Sequence, residues 1–134
     1  MKAGLAPGQV RRGLRLLDAV MERVEAFGVL LGHDTVLVEP LAYHNAIMFE
    51  RHGFYYMQGQ REMEWIHSAF SEGGELWMKL DDSLPFRHPD AARSIRGRSW
   101  AVHDGILGQP WDGVTMIRRL GTRHAVRTAP QIPW

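Results

Sequence analysis

The stretch from Thr35 to Phe54, TVLVEPLAYHNAIMFERHGF, constrains this chain more than any other. Val36, Leu37 and Val38 form an uninterrupted aliphatic run, short enough for a strand buried on both faces. Pro40 has no N–H to give to a ladder and ends it. Ala42 to His52 then has helical composition, with Ala46, Ile47 and Phe49 on one side. Gly53 stands where a left-handed C-cap residue is needed, and Phe54 opens a new strand. Strand, helix, glycine stop and strand make a βαβ-like unit, an arrangement that presents ligand sites at a strand's carboxyl end.

The rest of the chain must fit around that unit. Its 134 residues suffice for one domain with a real core. No cysteine is present, so disulfides, thiolate nucleophiles and cysteine-bound metals are excluded. The seven histidines show no metal-ligand spacing, and no metal is expected. No apolar run reaches membrane-span length, and Met1 to Gly13 lacks the apolar centre of a signal peptide, so a cytoplasmic protein is expected.

Charge divides the chain in two. Residues 1–84 carry 8 basic and 12 acidic side chains, a balance of −4, whereas residues 85–134 carry 8 arginines and 3 acids, a balance of +5. The C-terminal arginines are interleaved with strand-like residues and do not form one run, which favours a solvated or interfacial surface over nucleic-acid binding.

A first helix is expected from about Arg11, with Leu14, Leu17, Met21, Val24 and Phe27 as its core stripe and Gly28 as its stop. The loop before it, Gln9, Val10, Arg11, Arg12 and Gly13, can aim backbone N–H groups and two guanidinium groups at a phosphate. The other reading of that loop is a flexible basic lead-in without a ligand. Beyond Phe54, Met63, Trp65, His67 and Ala69 alternate with polar residues, and Leu76, Met78 and Leu80 alternate again after the turn Ser71 to Gly74, so strands at 54–70 and 76–80 form a hairpin. Asp81 to Pro89 reads as a linker, and Asp90 as the N-cap of one helical turn. Ser99 to His103 and Val114 to Arg119 read as strands, with Asp104-Gly105 as a hairpin turn. Trp77, Trp100, Trp111 and Trp134 read as packing anchors.

Asn45-Ala46-Ile47-Met48-Phe49-Glu50-Arg51-His52-Gly53-Phe54 resembles the "Asn…Ala…Tyr-Glu-Lys-x-Gly-Phe" signature of the GNAT-type N-acetyltransferase superfamily. Arg15-Leu16-Leu17-Asp18-Ala19-Val20 resembles the helix that follows that family's pyrophosphate turn, although Arg12 and Leu14 occupy places where the turn carries small residues. The resemblance implies an α/β (α+β) GNAT-like half-fold over residues 1–84, two helices on a small mixed sheet, with 85–134 as a β-rich C-terminal extension packed on the same domain. It further implies acetyl-CoA as cosubstrate, bound by the Gln9–Gly13 turn with Asn45 and Phe49, and acetyl transfer to a small-molecule or peptide amine.

Such a transfer needs a base for the amine and an acid for the departing thiolate. The family's tyrosine falls on Phe49 here, and a phenyl ring has no proton to give, so Tyr43 is the expected acid. Glu39, at the end of a buried strand, is the expected base, because burial there raises a carboxyl pKa; its other role is to cap the following helix. His44 and His52 read as surface or helix-dipole histidines.

In the family four strands precede the leucine-rich helix. Here about ten residues do, which leaves an edge of the Thr35–Glu39 strand unpaired. A partner subunit, the C-terminal strands or further chain could cover it. A two-fold homodimer sharing sheet edges or the arginine-bearing segment 99–119 is the expectation. The competing function is a non-catalytic, self-associating module that keeps the half-fold for packing alone.

Overall fold

In a computed structural model, which describes residues 4–10 and 16–134, the Thr35–Phe54 unit forms as its local signals dictate. Strand β1 (Thr35–Val38) stops before Pro40, helix α2 (Tyr43–Arg51) follows, and β2 (Tyr55–Gln58) comes after the glycine. Gly53 has φ +82°, and a Cβ there would stand 2.9 Å from the Arg123 backbone. Left-handed geometry and close approach both demand glycine at this stop.

Among the described residues the sheet has three strands in the order β1-β3-β2, and β3 (Thr115–Arg119) is antiparallel to both neighbours. The expected mixed sheet is therefore antiparallel, and its central strand comes from the C-terminal third. Val38 pairs with Met116 and Met116 with Tyr56 on the core side; Leu37, Ile117 and Tyr55 form a row on the other. The expectation that β1 is covered on both faces fails: Leu37 is 53% exposed.

Between β2 and β3 the chain is helical, where strands at 54–70, 76–80 and 99–103 were expected. Helix α3 (Gln60–Ala69) buries Met63, Ile66 and Ala69, a three-residue period that overrides the two-residue alternation in which Trp65 and His67 shared a face with Met63. Trp65 is instead exposed. Helix α4 (Glu75–Met78) buries Leu76, and Leu80 one turn on is also buried, while Met78 between them is exposed. Helix α5 (Ile95–His103) is capped by Ser94, whose hydroxyl accepts from the Gly97 N–H at 3.0 Å. Asp104-Gly105 ends α5 and is no hairpin. The turn at Pro89–Arg93 is 3-10, and its cap is His88, not Asp90. The C-terminal extension is thus not β-rich: among the described residues it holds the 3-10 turn, α5 and one strand, β3, and is otherwise turn and loop.

The core joins Tyr43, Ile47, Phe54, Met63, Ile66, Phe70, Leu76, Ile95 and Met116, all fully buried. Trp100 fits the anchor expectation: its indole N–H donates to the Leu5 carbonyl at 2.7 Å and its ring stacks on Phe86 at 4.8 Å. Trp77 does not, being more than a third exposed. Helix α1 (Leu17–Leu30) joins the core mainly through Met21, and Phe27 of its expected core stripe is 61% exposed. Buried Arg118 fastens α1 to the rest: it donates to Glu25 of α1 at 2.7 Å, to the Thr122 carbonyl at 3.1 Å and to the His52 carbonyl at the end of α2 at 3.2 Å. No helix among the described residues is long and apolar enough to cross a membrane.

Candidate functional site

Helix α2 begins at a place where its own sequence offers no cap. Ala42 has no side-chain oxygen, so the first-turn N–H groups need partners from elsewhere. Ser99 of α5 supplies one. Its hydroxyl accepts from the His44 backbone N–H at 3.4 Å and lies 2.8 Å from His44 Nδ1, the direction of that second bond being set by the imidazole tautomer. Both side chains are buried. Burial, with the Arg96 charge adding to it, holds the His44 imidazole down to a pKa of about 4. The ring is neutral at pH 7, so one nitrogen donates and the other accepts. The Asn45 amide nitrogen lies 3.4 Å from its Nε2.

Two cavities open on this helix start. One of about 320 Å³ is lined by Pro7, Gly8 and Gln9 on one wall and by His44, Asn45 and His103 on the other. A second of about 410 Å³ is lined by Tyr43, Ser99, Val102 and the loop from Gly108 to Trp111. Leu41, Ala42 and His103 belong to both, so the two form one cleft over the amino end of α2.

The structure brings together three of the residues singled out from the sequence, Gln9, Tyr43 and Asn45. Gln9 also braces its own loop, its Oε1 accepting from the Ala6 N–H at 2.9 Å. Tyr43 is buried, and its hydroxyl has no hydrogen-bond partner among the described residues. Burial pushes its pKa up, the Arg98 charge opposing, so it keeps its proton. The others fall elsewhere. Val10 is almost fully exposed, and Arg11, Arg12 and Gly13 lie outside the described residues. Phe49 is half-buried against Phe54, ring centroids 5.1 Å apart, and lines neither cavity. Glu39 is exposed, so the burial that was to make it a base is missing.

The glutamate of the resemblance has a different part. Glu50 is buried in the core and accepts from the Tyr56 hydroxyl at 2.5 Å, the Thr128 hydroxyl at 2.6 Å and the Thr128 N–H at 3.1 Å. Burial raises its pKa and these donors pull it back. It ties α2 to β2 and to the C-terminal segment.

Sequence reasoning missed Ser99, His103 and Trp111, because their segment read as strand and turn. One signal was present: Ser94 followed by a run to Asp104-Gly105 has the cap-and-stop punctuation of a helix. The chain matches no protein-family model, no curated protein and no solved structure.

Proposed function

We propose that this chain takes part in acetyl transfer from acetyl-CoA to an amine, in the cytoplasm, with the cleft at the start of α2 as its site. The observation that carries this reading is the meeting of Gln9 and Asn45 in one cavity. Each was singled out on its own segment as a cosubstrate contact, and the two segments are far apart in sequence. The element order supports it as well: helix, strand, helix, glycine stop and strand follow one another over residues 17–58, although the hairpin strand expected at 76–80 is absent and β3 comes instead from 115–119.

Tyr43 borders the cleft, but its hydroxyl is buried away from it, so the proton for the departing thiolate has to come from another donor or from water. The exposed Glu39 is replaced as base by His103, which borders both cavities. Calorimetric titration of the chain with acetyl-CoA tests the reading. Binding is expected, and Asn45→Ala should weaken it by about 1 kcal/mol, the net worth of one hydrogen bond. Absence of binding by the wild-type chain would leave the second reading, a non-catalytic self-associating module. That alternative is favoured by the apolar surface left open on α1.

A further inference from the structure

Fifteen large hydrophobic side chains are exposed among the described residues, and eight of them lie between residues 16 and 37. So dense a cluster is not the scatter of single apolar residues found on any surface. Leu16, Val20, Val24, Phe27 and Leu31 step along one side of α1, next to the Leu17 and Met21 face that meets the core. Helix α1 packs on β1, and β1 is an outer strand: among the described residues only β3 pairs with it. Thr35–Val38 holds no lysine, proline or bulge, the devices that normally blunt an exposed edge.

We infer that this corner is the docking surface for a second copy of the chain, joined through an antiparallel β1–β1 pair about a two-fold axis at Leu37. Directly opposed residues in an antiparallel pair share a face, which is what makes the surface self-complementary. Leu37 meets the second copy's Leu37. The outer row Tyr55–Ile117–Leu37 then runs on into the same three residues of the copy, an apolar row across six strands. One row away Arg119 lies opposite Thr35, and the second copy's Glu39 comes to the other side of that small threonine. An exposed guanidinium and an exposed carboxylate thereby share one row, at both ends of the interface. On the core side Val36 meets Val38.

The same axis brings the two α1 helices side by side and antiparallel, where their open stripes can cover each other. The exposed parts of the clustered side chains are of the order of the ~800 Å² that each partner contributes to a standard interface. An unrelated partner would have to reproduce the apolar row and the charge pair, whereas a second copy supplies both by symmetry.

Sedimentation of the full chain at micromolar concentration should give a dimer, and Leu37→Lys should give a monomer with unchanged far-ultraviolet dichroism. The chain has no cysteine, so single-cysteine variants report proximity cleanly. Oxidised Leu37→Cys should form a disulfide-linked dimer, because Cα atoms about 4.5–5.5 Å apart across a strand pair are within disulfide reach. Met57→Cys, exposed on β2 at the far side of the sheet, should not. A monomeric wild type, a dimer that survives Leu37→Lys, or cross-linking at Met57→Cys equal to that at Leu37→Cys would each overturn the inference.

Discussion

Helices α1 and α2 are treated in opposite ways. Around α2, polar groups are buried and almost all are matched: Glu50 by Tyr56 and Thr128, His44 by Ser99, and Arg98 by the Ala92 carbonyl at 2.7 Å and His67 Nδ1 at 3.0 Å. Along α1, apolar groups are exposed and unmatched. Buried polar groups without partners cost roughly 1–3 kcal/mol each, so the α2 interior is specified by its hydrogen bonds as much as by its volume. The α1 corner is held within the described chain by Leu17 and Met21 against the core, by Glu25 with Arg118 and the Gly121 N–H, and by Asp18 beside His52 at 3.1 Å. One region is closed within the chain, and the other leaves apolar side chains open.

The largest expected effect lies at the centre of the closed region. Glu50→Ala removes the acceptor for the Tyr56 hydroxyl and for both Thr128 donors at once. Stranding these groups should cost on the order of 3 kcal/mol or more, a large part of a small domain's stability. Glu50→Gln should cost less, since its carbonyl oxygen still accepts from two of the donors. Urea unfolding followed by tryptophan fluorescence measures both. Equal losses for the two variants would mean that the carboxylate is not the organising group.

Protonation probes the same region more gently. The folded pKa of His44 is depressed from 6.5 to about 4, so its contribution is complete above pH 6.5 and is lost as pH falls toward 4. Over that interval the loss is on the order of 3 kcal/mol at most, from the conversion of pKa shift to free energy. Glu50 acts with the opposite sign: its raised pKa makes stability fall as pH rises from 4.5 through the folded value. The measurement is therefore a difference, unfolding free energy of wild type minus His44→Asn at each pH. Asn offers both a donor and an acceptor near the place of Nδ1 and has no proton to gain. The difference should fall from pH 7 to pH 4, and a flat difference would contradict the account. At pH 7, Ser99→Ala should cost about 1–2 kcal/mol through the lost cap on α2.

The comparison also separates what the sequence could show from what it could not. Thr35 to Phe54 was readable because run length, Pro40, helical spacing and Gly53 all point to one answer. Gln9 and Asn45 were singled out through the resemblance, and the fold places both on one cavity. Residues 60–69 were misread because Met63, Trp65, His67 and Ala69 satisfy a strand's period while Met63, Ile66 and Ala69 satisfy a helix's, and only packing decides between them. The place of β3 between β1 and β2 is a non-local pairing that no window of sequence contains. Its consequence is that half the wall of the cleft, Ser99 to Trp111, comes from a segment to which no chemistry was assigned. The stripe expected to face the core held only in part: Leu17 and Met21 meet the core, whereas Val24 and Phe27 join Leu16, Val20 and Leu31 on an exposed side.

The smallest expected effect within a single chain falls on that stripe. Phe27 is mostly exposed, so Phe27→Lys should change the stability of the isolated chain by no more than about 0.5 kcal/mol, as for surface positions in general. Its larger signature is a change in concentration dependence. Association that stabilises the folded chain makes the wild-type urea midpoint rise with chain concentration, because mass action favours the bound, folded form. A lysine on the stripe places an unpaired charge where two α1 helices would cover each other, so the variant's midpoint should stay constant over the same concentrations. If Phe27→Lys lowers the midpoint equally at every concentration, Phe27 contributes to the fold of one chain, and the contrast between α1 and α2 disappears at this position.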